Sequence, residues 1–273
     1  MQKTGFLIDM DGVIYKGSEP IPGAVEFING LKEKGFPFLF LTNNSQRTSR
    51  DVCYKLLKMG FNVTDDDIFT CAMATARYLA SKTPQGTAYV IGEGGLLTEL
   101  HKAGYSIVDD HPDYVVIGEG RTIMLESVDK AINMIMKGSK LIATNLDPNC
   151  PVANGKYRAG CGAFVAMIEV ATGKKAFSVG KPSPVMMRMA RKTLDLATDD
   201  TVMIGDTMST DILGAGSMGF TTVLTLSGVT QEGDLDGFGY APDFIVKSIK
   251  DLLNEELFEK VIEKHGRKEL VFG

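Results

Sequence analysis

Two aspartates near the start of the chain, Asp9 and Asp11, are the residues best suited by type and spacing to do chemistry. They follow the apolar run 6–8 and directly precede Gly12, which predicts a strand that ends with both acids at its tip. One carboxylate there could attack phosphorus while the other transfers the proton. The alternative is a plain turn, because Asp-x-Asp-Gly is a common turn composition in which Asp side chains bond their own backbone.

A second polar cluster, Thr42-Asn43-Asn44, follows a buried strand predicted over residues 36–41. In a parallel sheet with right-handed crossovers, the carboxyl ends of both strands reach one edge, where open α/β sheets bind ligands. Thr42 and Asn43 are therefore expected to approach the two acids. A turn that enters a helix would use the same residues, and this alternative stays open.

Two further polar groups occur late in the chain. Lys181 precedes a helix that is predicted to begin after an N-cap at Ser183. Asp206 ends a short buried strand predicted over residues 201–204, and Asp211 falls in the first turns of the next helix. One of these acids could bind a metal while the other orients it. An acid favoured by the helix dipole is the alternative explanation of Asp211.

Together these residues are suited to phosphoryl transfer, which places negative charge on three equatorial oxygens. Carboxylates alone would repel a phosphate ester, whereas Mg²⁺ held by Asp9, Asp11 and Asp206 would cancel that repulsion. The side chains that could contact phosphate oxygens are those of Thr42, Asn43 and Lys181. The three histidines have no spacing typical of a metal site, so oxygen ligands and Mg²⁺ are expected.

These groups need a scaffold that alternates strands and helices. The predicted order of elements indicates an α/β fold with a doubly wound, mainly parallel sheet. Residues 83–178 follow a second rhythm of strands and helices, which predicts a smaller α/β domain inserted into a core of residues 1–82 and 179–273. The tail from residue 251 is expected to be helical and then frayed.

Within the inserted domain, several small residues allow two interpretations. The glycines of segment 159–163 could let a ligand approach the backbone, or they could serve helix packing. Cys161 lies among them and is expected to be a small packed residue rather than a nucleophile. The glycines within 92–95 and 118–120 do not complete a dinucleotide-binding pattern and are interpreted as turns.

Composition narrows the range of partners. The formal net charge of −5 supplies no basic surface, so a small ligand is expected rather than nucleic acid or an anionic membrane. No apolar stretch approaches the roughly 18 residues that span a bilayer, and no secretory signal is recognised at the start. The four cysteines contain no Cys-x-x-Cys pair, which favours a reduced, cytoplasmic protein.

The polar groups resemble the four ordered motifs of the haloacid dehalogenase (HAD) superfamily of phosphatases. The matching residues are Asp9-Met10-Asp11-Gly12, Thr42-Asn43-Asn44, Lys181, and Gly205-Asp206 with Asp211. The inserted domain, together with segments 159–163 and 180–184, is similar to the branch of NagD-like, p-nitrophenylphosphatase-type proteins with a large α/β (C2-type) cap. This resemblance covers nearly the whole chain and implies a Mg²⁺-dependent phosphatase that hydrolyses small phosphomonoesters, with p-nitrophenyl phosphate as a laboratory substrate.

The resemblance also implies a role for each motif residue. Asp9 would be the nucleophile that forms an aspartyl-phosphate, and Asp11 the acid that protonates the leaving oxygen and then the base that activates water. Mg²⁺ would be held by Asp9, the backbone carbonyl of Asp11, and Asp206. Asp211 would orient the water shell of the metal, or Lys181. The residues that would hold the phosphoryl group are Thr42, Asn43 and Lys181.

In this family the cap would close over the site and contact the leaving group, which makes Asn145 and Asp147 candidates for substrate contact unless they only form a turn. The expected substrate is a small phosphorylated metabolite, such as a nucleoside monophosphate or a sugar phosphate. An exposed cap face could support a homodimer. Two alternatives are a phosphomutase, which would return the phosphoryl group to its substrate, and a non-enzymatic signalling module that accepts phosphate on an aspartate.

Overall fold

The computed structural model describes residues 4–152 and 156–263 of the chain, which contain fifteen strands and nine α-helices. The strands are β1 (Gly5–Ile8), β2 (Tyr15–Lys16), β3 (Glu19–Pro20), β4 (Phe38–Thr42), β5 (Ile68–Thr70), β6 (Thr87–Ile91), β7 (Ser106–Ile107), β8 (Tyr114–Ile117), β9 (Lys140–Ala143), β10 (Asn149–Val152), β11 (Lys156–Ala159), β12 (Phe177–Ser178), β13 (Thr201–Gly205), β14 (Thr221–Thr225) and β15 (Phe244–Val246). The α-helices are α1 (Ala24–Glu33), α2 (Ser49–Lys58), α3 (Cys71–Lys82), α4 (Gly94–Lys102), α5 (Leu125–Met136), α6 (Cys161–Thr172), α7 (Pro184–Thr193), α8 (Leu213–Ser217) and α9 (Glu255–Glu263).

The chain divides into two compact units, and the first contains the described residues up to Leu41, Cys53–Ile68, and the described residues from Met187 onward. It is built on a six-stranded sheet with the order β15-β14-β13-β1-β4-β5. Strand β1 pairs in parallel with β13 on one side and with β4 on the other. The order of strands along the chain therefore reverses at β1, which is the position where open α/β sheets bind ligands. The predicted doubly wound, mainly parallel α/β fold is confirmed.

Strand β1 is buried over its whole length, as expected for a parallel strand that is covered on both faces. Phenylalanine rings pack against it: the ring of Phe6 lies 5.8 Å from that of Phe36 and 5.7 Å from that of Phe258, measured between centroids. Phe258 belongs to α9, so this aromatic contact attaches the last described helix to the central strand. The predicted frayed tail lies beyond residue 263, outside the described residues.

The second unit contains Thr42–Val52 and the described residues of Phe69–Met186. Its parallel sheet has the order β12-β9-β8-β6-β7 and lies within the predicted inserted segment 83–178. An antiparallel hairpin of β10 and β11 follows β9. The unit also takes in residues on either side of that segment, so its bounds are wider than those predicted for the inserted domain.

Periodicity identified some elements and missed others. Strand β8 and helix α5 belong to the rhythm of strands and helices predicted for residues 83–178. The pair β5 and α3 was not predicted. Helix α3 buries mostly small residues, Cys71, Ala72 and Ala74–Ala76, together with Leu79, so its hydrophobic period is weak in the sequence. Among the helices of the described ranges, none has the length and apolar composition needed to cross a membrane.

Candidate active site

Three carboxylates meet at the carboxyl end of the central strands in the first unit. Asp9 follows β1, Asp206 follows β13, and Asp211 lies in the π-helical turn Met208–Ile212. Because β1 and β13 are parallel with Ile8 opposite Ile204, both strands end at the same level. One oxygen from each carboxylate can be chosen so that all lie within 4.8 Å of one another. Asp206 and Asp211 are buried, and Asp9 is half-buried.

Hydrogen bonds from neighbouring residues orient the two buried acids. Asp206 Oδ1 accepts from the Thr207 hydroxyl at 2.9 Å, and its Oδ2 accepts from the Val229 N–H at 2.7 Å. Asp211 Oδ2 accepts from the Thr207 N–H at 3.2 Å. These donors stabilise the charged form of each carboxylate.

The composition of this cluster fits a divalent metal ion. Three carboxylates held this close repel one another, and a hard cation with oxygen ligands removes that repulsion. Asp9 and Asp206 were predicted as ligands, and the structure places both in the cluster. Asp211 was predicted to orient the water shell of the metal, or Lys181, rather than to bind the metal directly. Its carboxylate lies within the same 4.8 Å group.

Asp11 lies just beyond the strand tip and is exposed. It forms a β-bridge with Tyr15, and the Gly12 N–H donates to the Tyr15 carbonyl oxygen at 2.8 Å. A short antiparallel hairpin of β2 and β3 follows the acids. The Lys55 ammonium lies 3.5 Å from the centroid of the Tyr15 ring. Burial lowers the pKa of Lys55, and the negative charge of Asp11 opposes this shift.

In the second unit, the Asn43 side chain binds both ends of the Lys181 main chain. Asn43 Oδ1 accepts from the Lys181 N–H at 2.8 Å, and its Nδ2 donates to the Lys181 carbonyl oxygen at 3.0 Å. Lys181 is 3% exposed. Thr42 is buried, and its hydroxyl accepts from the Asn44 N–H at 3.1 Å. The structure thus joins Asn43 and Lys181, which are 138 residues apart in the sequence.

Asn145 and Asp147, the candidates for substrate contact, bind Asn43. Asp147 Oδ2 accepts from Asn43 Nδ2 at 2.9 Å, and Asn145 Nδ2 donates to the Asn43 carbonyl oxygen at 2.8 Å. Asn145 is fully buried, and its Oδ1 accepts from the Asp147 N–H at 3.0 Å. Burial raises the pKa of Asp147, while the hydrogen bond from Asn43 and the charge of Lys181 act in the opposite direction. Both candidates thus lie in one hydrogen-bond network with Asn43.

The small residues of segment 159–163 allow close contact between backbone segments. A Cβ atom at Gly160 would overlap the Asp147 carbonyl oxygen, and one at Gly162 would overlap that of Leu146. The Gly162 N–H donates to the Asp147 carbonyl oxygen at 2.9 Å. Cys161 is buried, and burial raises the pKa of its thiol to about 11, which agrees with a packed residue rather than a nucleophile.

Glu119 was not recognised in the sequence, because Gly118-Glu119-Gly120 was interpreted as a turn. Its side chain is buried, and its Oε2 accepts from Gln46 Nε2 at 3.1 Å and from Arg158 Nη2 at 3.4 Å. Burial raises the pKa of Glu119, and the charge of Arg158 opposes the shift. The available signal was an acid placed two residues after the end of a buried strand, β8.

Comparison with known proteins identifies relatives over most of the chain. Residues 6–106 match a family described as haloacid dehalogenase-like hydrolase, and residues 178–252 match one described as HAD-hydrolase-like. The chain is 42% identical to dihydroxyacetone phosphatase of Corynebacterium glutamicum, with 90% of each protein covered. It is 39% identical to ribonucleotide monophosphatase NagD of Escherichia coli, with 90% of this chain and 96% of that protein covered. A p-nitrophenyl phosphatase structure from Archaeoglobus fulgidus superposes with a TM-score of 0.87 at 38% identity, covering 93% and 99% of the two chains.

Proposed function

Because the chain belongs to the haloacid dehalogenase-like hydrolases, we propose that it is a phosphatase that acts on small phosphomonoesters through an aspartyl-phosphate intermediate. The observation that carries this proposal is the group of three carboxylates within 4.8 Å at the tips of β1 and β13. Such a group has few uses without a cation, and a cation beside a nucleophilic acid suits phosphoryl transfer.

The metal is proposed to be Mg²⁺, held by Asp9, Asp206 and the backbone carbonyl of Asp11, with Asp211 as a direct ligand or as the residue that orients the metal's water shell. Bound there, Mg²⁺ would neutralise negative charge on the carboxylates and on the phosphoryl oxygens. The burial of Asp206 and Asp211 supports this assignment, since buried acids are expected to be paired or to coordinate metal.

In the first step, a carboxylate oxygen of Asp9 attacks phosphorus. The bond from phosphorus to the ester oxygen breaks, and Asp11 gives its proton to the departing alkoxide. Asp11 is suited to this task because it lies two residues beyond the nucleophile and is exposed, so that it can reach a leaving group.

In the second step, water attacks phosphorus in the aspartyl-phosphate. Asp11, now ionised, accepts a proton from that water, the acyl phosphate bond breaks, and Asp9 is restored as phosphate leaves. Protons and charges balance over the two steps: one ester bond is hydrolysed, and both aspartates return to their starting states.

Thr42, Asn43 and Lys181 are proposed to hold the phosphoryl group. The Asn43 side chain is already hydrogen-bonded to Lys181 and Asp147, so its contact with phosphate is assigned to its main-chain N–H. Lys181 would supply the positive charge that balances the phosphoryl oxygens and Asp9.

The proposed substrate is a small phosphorylated metabolite of the nucleoside monophosphate or sugar phosphate class. Two relatives are named for dihydroxyacetone phosphatase and ribonucleotide monophosphatase activities, which supports this range. We further propose a cytoplasmic location, consistent with four free thiols, and a homodimer without a nucleic-acid or membrane partner.

The test is phosphate release from p-nitrophenyl phosphate and a panel of small phosphomonoesters, with Mg²⁺ and with EDTA. Metal-dependent release by the wild type and its loss in Asp9→Asn would support the proposal. Asp195→Asn is the matched control, because this exposed aspartate has a φ of 53°, a conformation that asparagine also adopts. No release from any ester by the wild type, or full turnover by Asp9→Asn, would refute the proposal. If the phosphoryl group is transferred back to the organic product and no inorganic phosphate is released, the protein is a phosphomutase.

A further inference from the structure

We propose that Asp147 is a positioning residue that fixes Lys181 by acting through the side chain of Asn43. The inference rests on the proposed function, in which Lys181 contacts the phosphoryl group. It gives Asp147 a task that does not require contact with the substrate.

The first step concerns the hydrogen bonds between the Asn43 side chain and the Lys181 main chain. A single side-chain amide accepts from the Lys181 N–H and donates to the Lys181 carbonyl oxygen, at 2.8 and 3.0 Å. Two hydrogen bonds to one residue's main chain restrict both its position and its orientation. The direction in which the Lys181 side chain leaves the backbone therefore depends on how Asn43 is held.

The second step is the orientation of the Asn43 amide. A primary amide has one acceptor and two donor hydrogens, and rotation by 180° would turn its NH₂ toward the Lys181 N–H. Asp147 Oδ2 lies 2.9 Å from Asn43 Nδ2, and an ionised carboxylate can only accept. The carboxylate of Asp147 is thus satisfied only when the amide has the orientation that also suits Lys181. Removing this acceptor leaves only the two contacts with the Lys181 main chain to favour that orientation, so the amide is held less firmly.

The third step is the attachment of Asp147 itself. Fully buried Asn145 binds the Asp147 N–H through Oδ1 and the Asn43 carbonyl oxygen through Nδ2. The Gly180 N–H donates to the Thr144 carbonyl oxygen at 2.8 Å, and a Cβ atom at Gly180 would overlap that oxygen. The segment after β9 is therefore attached both to Asn43 and to the residue before Lys181. Such a closed network makes the position of Lys181 sensitive to Asp147.

Substrate contact by Asp147 is the competing explanation, and the two make different kinetic predictions. If a residue contacts the leaving group, its substitution alters KM and changes the ranking of substrates. A residue that positions Lys181 alters the handling of the phosphoryl group, which every substrate shares. If Asp147 positions Lys181, its substitution should lower kcat by a similar factor for all substrates and weaken inhibition by inorganic phosphate.

The experiment compares the wild type with Asp147→Ala, Asp147→Ser and Asp147→Asn. Asp129→Ala is the matched control, because this aspartate of the second unit is exposed on α5. The measurements are kcat and KM for p-nitrophenyl phosphate, a nucleoside monophosphate and a sugar phosphate, and the inhibition constant of inorganic phosphate. Asp147→Ala should lower kcat by about 10- to 100-fold on every substrate, as expected for misplacement of a binding group. Asp147→Asn keeps an acceptor oxygen, so it should retain most of the kcat that Asp147→Ala loses. Asp147→Ser serves as the second truncation if the alanine variant does not fold.

A double-mutant cycle tests the route through Asn43. If Asp147 acts on Lys181 through Asn43, the substitution Asp147→Ala in an Asn43→Ala background should cause little further loss of kcat. Independent, multiplicative effects would overturn the inference, as would a loss confined to some substrates or an unchanged kcat in Asp147→Ala.

A readout without turnover separates this inference from the proposed function. The Lys181 amide donates to Asn43 Oδ1, so its hydrogen exchange should be faster in Asp147→Ala than in the wild type and in Asp129→Ala. Unchanged exchange would overturn the positioning role. An inactive wild type with faster exchange in Asp147→Ala would refute the proposed function but leave the positioning intact, whereas an active wild type with unchanged exchange would refute only the positioning.

Discussion

Gly228 lies against the carboxylate of Asp206, so that a Cβ atom at this glycine would overlap Asp206 Oδ2. The next residue, Val229, donates its N–H to the same oxygen. A loop without a side chain at residue 228 can therefore approach the acid and orient it from one side.

This contact predicts that Gly228→Ala moves Asp206 and weakens metal binding. Overpacking of this kind typically costs about 1–3 kcal/mol of unfolding free energy. Gly233→Ala is the control, because a Cβ atom there meets nothing within 4 Å. Urea denaturation and a Mg²⁺ titration of activity measure the two effects. Equal stability and Mg²⁺ affinity in the two variants would contradict the prediction.

Asp211→Asn tests whether the third carboxylate contributes to metal binding. Asparagine has nearly the same shape and can still accept from the Thr207 N–H, but it removes one negative charge from the cluster. We expect Mg²⁺ affinity to fall by about 10- to 100-fold, the range found for residues that orient or support metal ligands. Calorimetric titration with Mg²⁺ is the measurement, with Asp195→Asn as the control. Unchanged affinity would show that Asp211 does not act on the metal.

Asp11→Asn should separate the two steps of the reaction. It removes the proton donor, so kcat/KM should fall by about 10²- to 10⁴-fold for an alkyl phosphate. The loss should be smaller for p-nitrophenyl phosphate, whose leaving group needs little protonation. The comparison uses kcat/KM because it reports on the steps up to the departure of the leaving group. An equal loss for both substrates would argue against Asp11 as the acid.

Glu119 predicts a pH dependence of stability. Burial raises its pKa in the folded state, so the folded protein holds a proton that the unfolded chain has already lost. This group therefore lowers the unfolding free energy as pH rises from the ordinary glutamate range through the raised pKa. Glu119→Gln removes the effect, so its stability relative to the wild type should increase over that interval.

The measurement is urea denaturation of both proteins between about pH 4 and about pH 8, which spans the ordinary glutamate pKa. Glu126→Gln is the control, because the Glu126 side chain is 78% exposed and forms a surface ion pair with Lys130 across one helical turn. A constant difference between Glu119→Gln and wild type across the range would show that Glu119 has no raised pKa.

Several parts of the site could be predicted from the order of elements. Asp9 and Asp206 each follow a short buried strand, and parallel pairing brings such strand ends together, so their meeting at the tips of β1 and β13 was expected. Asn43 was recognised as a polar residue at a strand end. Its binding to Lys181 was not foreseen, because hydrogen-bond partners are set by register and rotamer rather than by sequence spacing.

The sequence by itself determined the elements with a clear hydrophobic period, the parallel α/β architecture, and the set of polar residues at the strand ends. Residue types and local spacing suffice for these features, since periodicity reports which face is buried. Only the tertiary structure decided how the polar residues are paired. Asp147 binds Asn43 across 104 positions, Glu119 binds Arg158 across 39 positions, and glycines 12 and 228 approach Asp206 from separate loops. Each of these contacts joins distant segments, and only the packed chain brings their atoms within hydrogen-bonding or van der Waals range.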